Sequence, residues 1–324
     1  MAVSRETPST SATRRPPRAT GTAMTLGRDM RRAAVPLLFI LPAVAFAAVF
    51  LYYPTVSGLY HAFFDWDGVS PPAFIGLSNF QEMWGDPVIR IAFANMAKLT
   101  AFAAATALTV PLLVAKLINS LRSPRAQYLC RVGFVVPLVV PQVVLILIWG
   151  FFYEPTDGLL NRLLIAGHLR GLTQAWLGDP KLALYCIMFM TFPWVNGFGL
   201  LIYTAGLQAI PGELLEAAAL DGANAWRRFW RIELPLILGQ IRLLVVLALI
   251  GGIQSFTQVL ILTNGGPGQA TTVPGLYLYQ EITSDQRFGY ASAIALVLFV
   301  ITLLVTVVNL KFIRPSTDFE GAAA

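Results

Sequence analysis

An all-α membrane protein with six transmembrane helices is the fold class this sequence predicts, and three observations carry it. Of the 324 residues, 56% are hydrophobic and only 12% are charged, about half the charged share of an ordinary soluble domain. Apolar stretches of roughly 20 residues, enough to cross about 30 Å of hydrocarbon, recur along the whole length. Charges or helix breakers separate each stretch from the next, which is where a backbone can leave lipid and give its polar groups to water.

Residues 1–32 are rich in Ser, Thr, Pro and Arg. They carry too little apolar surface to fold alone, so a disordered basic tail is expected there. The segments TRRPPR and MRR precede an apolar run as in an export signal. That run is longer than a signal's apolar centre and five more follow it, so an uncleaved first helix is expected instead. The first span is expected at about residues 33–53, AAVPLLFILPAVAFAAVFLYY. The others are expected at about 91–117, with Lys98 inside, then 132–152, 182–209, 234–257 and 288–312. The membrane domain then covers 33–313, and residues 314–324 form a second tail.

Direction follows from the basic residues. With the N-terminus inside, sixteen Lys and Arg residues fall on the inner side and five on the outer, while Lys98 and Arg242 lie within spans. The bias places both termini in the cytoplasm, and the membrane expected for this multi-pass chain is the bacterial plasma (inner) membrane. The net charge of +6 therefore sits on inner loops facing lipid headgroups, and no nucleic acid partner is expected. Cys130 and Cys186 lie in or beside apolar runs, where cysteine acts as a small hydrophobe. His61 and His168 have no Cys or His at ligand spacing, so neither a metal nor a cofactor is expected.

One stretch breaks the pattern. ELLEAAALDGANAWRRFWRIELP, from Glu213 to Pro235, is dense in charge between two long uncharged segments and falls in the cytoplasmic connection between the fourth and fifth spans. Pro211 suits the first turn of a new helix, where its missing amide hydrogen is no loss. Leu214, Leu215, Ala218 and Ala219 make an apolar stripe at helical spacing, and Glu213 and Glu216 favour the positive N-terminal end. Asp221 and Gly222 supply a C-terminal stop. Asn224 can cap a second helix in which Trp226, Phe229 and Trp230 share a face, away from Arg227, Arg228 and Arg231. An amphipathic connector lying on the lipid surface would be built from the same residues.

The motif separates these readings. Glu-Ala-Ala, three residues, Gly, nine residues, Ile, one residue and Leu-Pro are carried by Glu216, Ala217, Ala218, Gly222, Ile232, Leu234 and Pro235. The loop is similar at every one of these positions to the EAA motif of the permease subunits of binding-protein-dependent ABC importers. The resemblance implies a type I ABC importer permease fold whose loop, about residues 211–234, carries a coupling helix docked in a cleft of a cytoplasmic ATPase. It implies that Glu216, Ala217, Ala218 and Gly222, with Leu220 and Asp221 beside them, form the contact that transmits ATP-driven closure. The implied partners are a second, homologous permease subunit, a cytoplasmic ABC ATPase dimer and an extracytoplasmic solute-binding protein.

FIGLSNF, VVPLVVPQVV, LILTNGGPGQATT and FGYASAIALVLFVI extend the likeness over about residues 34–313. Together they resemble carbohydrate importer permeases of the MalF and UgpA type, which implies a disaccharide, oligosaccharide or glycerol-phosphate-like substrate. TNGGPGQATT lacks the Gly-Lys-Ser/Thr ending of a phosphate-binding loop and reads as a turn leaving the fifth span on the outer face. A sugar pathway through lipid needs aromatic faces and groups that replace water, and such residues face the bundle interior. Thr191, Trp194, Asn196 and Phe198 in the fourth span and Gln254 and Ser255 in the fifth lie near positions that line the sugar site in maltose-type relatives. Lys98 is a separate matter: a charge at mid-span costs roughly 2.5–3.5 kcal/mol and needs an interior partner or a route to the interface.

Two other classes stand against this reading. An ion-coupled secondary transporter of a small polar solute often carries mid-membrane carboxylates, and the expected spans hold no Asp or Glu. A membrane-embedded enzyme needs paired titratable groups, and the outer loops offer only scattered Asp65, Asp67, Glu154, Asp157 and Asp179. The expectation is a transporter subunit with ATP hydrolysis left to its partners.

Overall fold

The computed structural model describes residues 38–312, so the expected tails, 1–32 and 314–324, lie outside the described residues. The chain divides into two compact units between Val56 and Ser57. The first is described by one apolar helix, the leading part of α1 (Leu38–His61). A π-helical turn at Ala48–Tyr52 lies inside it, with the Phe46 and Phe50 rings stacked at 5.6 Å.

The second unit opens on the end of α1, followed by a short antiparallel pair, β1 (Phe64–Asp65) against β2 (Ala73–Phe74), with Phe64 opposite Phe74. It continues through α2 (Ser78–Gly85), α3 (Pro87–Ser120), α4 (Pro124–Val139), α5 (Gln142–Phe152) and α6 (Leu159–Ala166). Then follow α7 (Ala183–Phe189), α8 (Gly197–Gln208), α9 (Gly212–Leu220), α10 (Ala225–Leu236) and α11 (Leu238–Ile253). The last are α12 (Thr257–Leu262), α13 (Pro274–Thr283) and α14 (Phe288–Phe312). By length and composition α1, α3 and α14 can each cross a membrane alone. Three bent pairs qualify when taken together, α4 with α5 at 94°, α8 with α9 at 66° and α10 with α11 at 70°, which makes up to six among the described residues.

The second span is longer than expected and unbroken, although Pro111 lies inside it. Proline gives no amide hydrogen to the carbonyl four residues back, here that of Ala107. The Tyr203 hydroxyl donates to that carbonyl at 3.2 Å, so α8 repairs the ladder of α3. Leu112, Ala115 and Ile118 of α3 pack there with Leu200, Tyr203, Leu207, Phe229, Ile237 and Leu244. Higher on the same helix, Leu99 meets Leu184, Ile187, Val259, Val273 and Leu276.

The third, fourth and fifth spans are not the continuous helices expected. The third bends at Pro141, which precedes α5 with extended backbone. The fourth stops after Phe189 and restarts at Gly197, leaving residues 190–196 outside any helix. Pro193 withholds an amide and drives Phe192 away from helical angles, and Asn196 starts the next helix by accepting from the amides of Phe198 (2.9 Å) and Gly199 (3.4 Å). The fifth ends at Ile253 and resumes at Thr257. Just before that break, a Cβ on Gly252 would lie 2.8 Å from the Thr100 Cα. Only a glycine lets α11 approach α3 so closely.

Candidate functional site

The charged loop folds as the helix, turn and helix its residues predict. Pro211, extended, stands one position ahead of α9 instead of inside its first turn. At the other end Gly222 takes φ +76°, a left-handed conformation that glycine adopts without strain. Its amide reaches the Ala219 carbonyl at 3.1 Å and the Ala223 amide reaches Ala218 at 2.9 Å, so the last carbonyls of α9 are satisfied. Asn224 Oδ1 then accepts from the Arg227 amide at 2.8 Å and caps α10. Trp226 and Phe229 both lie against Trp230, with ring centroids 5.5 and 5.4 Å apart.

Burial divides the six singled-out loop residues. Ala218 is buried and anchors α9 on the fold, while Glu216, Ala217, Leu220, Asp221 and Gly222 are exposed. Leu220 is 89% exposed, a large apolar side chain at the tip of the helix with no cover from this chain. Of the expected apolar stripe, Leu215 is half-buried and Leu214 and Ala219 are exposed. The structure thus presents a small, partly apolar tip flanked by carboxylates.

Two charged residues of the loop work inside it. Arg228 Nη1 donates to the Leu215 carbonyl at 3.4 Å, which ties α10 to α9. Glu233 is 4% exposed and receives Lys116 Nζ of α3 at 2.6 and 2.5 Å on its two oxygens. The partners are far apart in sequence, and no spacing rule links them.

The pathway candidates lie in the two breaks. Thr191, Trp194 and Asn196 occupy the gap in the fourth span, and Phe198 follows in the first turn of α8; Gln254 and Ser255 occupy the gap in the fifth. Thr191 Oγ1 and Trp194 Nε1 both donate to the Met188 carbonyl, at 3.4 and 3.3 Å, which the end of α7 leaves free. Ser255 Oγ accepts from Gln258 Nε2. Asn196 spends its oxygen on the cap of α8 and offers its amide end. Thr191, Asn196, Phe198 and Gln254 are exposed on this chain.

α3 brings the two breaks together. Phe102 meets Trp194 edge-on at 5.9 Å, and Thr100, two residues earlier, receives Gly252. Around Trp194 the rings of Phe189 and Phe192 lie 5.4 and 5.0 Å away, and Trp149 extends the cluster to α5. Trp194 itself has φ +58°, which is an outlier for a bulky side chain. Lys98 is exposed one turn above Phe102 and forms no ion pair with a described residue.

At the end of α3 remote from the loop, polar side chains fix its start. Asp86 accepts the Val88 amide at 2.8 Å and the hydroxyls of Tyr277 and Tyr290 at 2.8 and 3.0 Å. Arg287 reaches Glu82 at 2.6 Å and Glu281 at 3.4 Å. Burial pushes the Glu281 carboxyl above the usual carboxylate range, while the Tyr277 hydroxyl and Arg287 pull the other way. TNGGPGQATT is a turn closed on itself: Thr271 Oγ1 reaches the Gly266 carbonyl at 2.8 Å, and Asn95 Nδ2 holds the carbonyls of Ala270 and Thr272 at 2.9 and 3.0 Å.

Known proteins share this fold. A chain of a bacterial ABC transporter involved in the import of the acidic polysaccharide alginate matches with a TM-score of 0.79 at 24% identity, over 90% of this chain and 99% of that one. The likeness establishes the type I importer permease fold. The probable ABC transporter permease protein YurN of Bacillus subtilis is 35% identical over 285 residues, 88% of this chain and 97% of that protein. The diacetylchitobiose uptake system permease protein NgcF of Streptomyces coelicolor is 33% identical over 283 residues, 83% of this chain and 79% of that protein. The family of binding-protein-dependent transport system inner membrane components matches residues 107–314. With two such relatives along nearly its whole length and the family pattern over most of it, the chain belongs to the inner membrane components of binding-protein-dependent transport systems.

Proposed function

We propose that this permease subunit imports a carbohydrate, a disaccharide or oligosaccharide or a glycerol-phosphate-like solute, delivered by an extracytoplasmic binding protein. The observation that carries the reading is the pair of helix breaks joined by α3. Non-helical backbone at membrane depth is tolerated only where protein buries it or where it lines a water-filled cavity, and discontinuous helices meeting mid-membrane are how many transporters build a solute site. Here Trp194 in the first break and Phe198 just after it offer ring faces that suit sugar rings, and Thr191, Asn196, Gln254 and Ser255 in the breaks offer polar groups that replace water. The names of relatives support the substrate class, among them the arabinooligosaccharides permease AraP of Bacillus subtilis and the multiple sugar-binding permease MsmF of Streptococcus mutans.

In this reading a second, homologous permease completes the pathway, and the exposed tip of α9, formed by Glu216, Ala217, Leu220, Asp221 and Gly222, docks on one subunit of a cytoplasmic ATPase dimer. Residues 33–313 are the permease domain between two cytoplasmic tails. The test is reconstitution of the assembled importer in lipid vesicles with its binding protein. A panel of di- and oligosaccharides and glycerol phosphates is scored for stimulated ATP hydrolysis and uptake, and one sugar class is expected to stimulate both. Stimulation by amino acids or metal ions instead would overturn the substrate class.

Direction has its own check. A reporter fused after Asn224 is expected to be cytoplasmic and one fused after Gly268 external, and the reverse pattern would invert the orientation.

A further inference from the structure

The pair of half-buried Lys116 and buried Glu233 does more than fill the loop. Glu233 lies in a π-helical turn of α10, Phe229–Glu233, directly before the Leu-Pro that leads to α11. Lys116 lies in the last turns of α3. The pair forms part of the wall of an open cleft of about 260 Å³, together with Asn119, Gln127, Gln208 and Leu215. A buried carboxylate held on an ammonium keeps its distance to that partner, because pulling the two apart strands a charge, whereas an apolar contact can slide.

α3 continues without a break from this pair to both pathway gaps. Lys116 stands about 21 Å along the helix from Phe102, which touches Trp194, and Thr100 receives Gly252 beside the second gap. The loop has two attachments to the same region of α3, an apolar one through Phe229 in the cluster of Leu112, Ala115 and Ile118 and the ionic one through Glu233. We propose that the Lys116–Glu233 ion pair is a positioning link for transport: it passes displacement of the coupling loop to α3, whose other half holds both breaks. The proposal rests on the importer reading above and adds a route within this chain between its two sites.

Reconstituted importer carrying Glu233→Gln, Lys116→Met, both changes together, or the exchanged pair Lys116→Glu with Glu233→Lys tests it. The readout is uptake per ATP hydrolysed, with assembled complex measured for each variant. Each single change and the neutral double are expected to lower that ratio by about five- to tenfold, within the range that residues along a coupling route command. The exchanged pair is expected to restore it. The neutral double leaves no lone charge and keeps the test open should a single variant fail to assemble.

A natural ratio in the assembled neutral double, or an exchanged pair as uncoupled as the neutral double, overturns the link. Gly222→Trp in the same assay tells the two ideas apart: if it uncouples while the Glu233 and Lys116 variants do not, the docking reading stands and the link alone falls.

Discussion

Gly222→Trp is expected to abolish ATP-driven uptake while the chain still inserts in the membrane. Within this chain the substitution is nearly free of clash, because a Cβ at Gly222 meets nothing within 4 Å. What it costs internally is the left-handed backbone at φ +76°, roughly 1–2 kcal/mol for a residue with a side chain. That strain is confined to an exposed turn. The large loss comes from placing an indole on the small tip formed by Ala217, Leu220 and Asp221, where a partner cleft would close. Gly222→Asn separates the two costs, since asparagine tolerates left-handed angles and is small. It is expected to keep most of the uptake, and Glu216→Lys is expected to lose it through reversed charge. Co-purification of the ATPase and uptake into vesicles are the measurements. Normal uptake with both Gly222→Trp and Glu216→Lys would end the docking hypothesis.

The loop could be read from sequence because its determinants are local. A glycine three residues after a helical Ala, an Asn three residues before the amide it caps and a stripe at helical spacing all act within one or two turns. The same holds for the six-span outline, which hydropathy sets. The breaks were harder, because a proline alone does not decide between interruption and continuation. Pro111 leaves α3 intact since Tyr203, 92 residues away, answers the freed carbonyl at Ala107. Pro193 lies in a true gap, where Asn196 begins a new helix. The deciding partner is tertiary in the first case and local in the second, and only Asn196 could have been foreseen. Glu233 shows the limit most sharply. In sequence it is one more charge of a cytoplasmic loop, and its partner Lys116 lies 117 residues away near the end of the second span.

Trp194→Ala is expected to lower uptake by at least about tenfold, the scale on which truncation of a central aromatic anchor is felt. Two roles compete for this effect. Trp194 packs on Phe102, Phe189 and Phe192, so its loss could loosen the gap; or its ring face meets the sugar. Its φ of +58° favours the second, since strain of about 1–3 kcal/mol persists where function uses the geometry. Trp194→Phe keeps a ring and removes the Nε1 hydrogen bond to Met188. If packing is the whole role, Phe restores uptake of every sugar alike and Ala lowers every sugar alike. If the ring stacks on substrate, Ala and Phe change the ratio between a disaccharide and a longer oligosaccharide, and the concentration for half-maximal uptake rises. Gln254→Leu supplies the independent arm from the other gap: it is near in size and removes only hydrogen bonds. Gln254 is exposed, so a change in sugar preference there, with assembly unchanged, places the pathway between the two breaks. Unchanged preference in both Trp194→Ala and Gln254→Leu would move the pathway elsewhere on the chain.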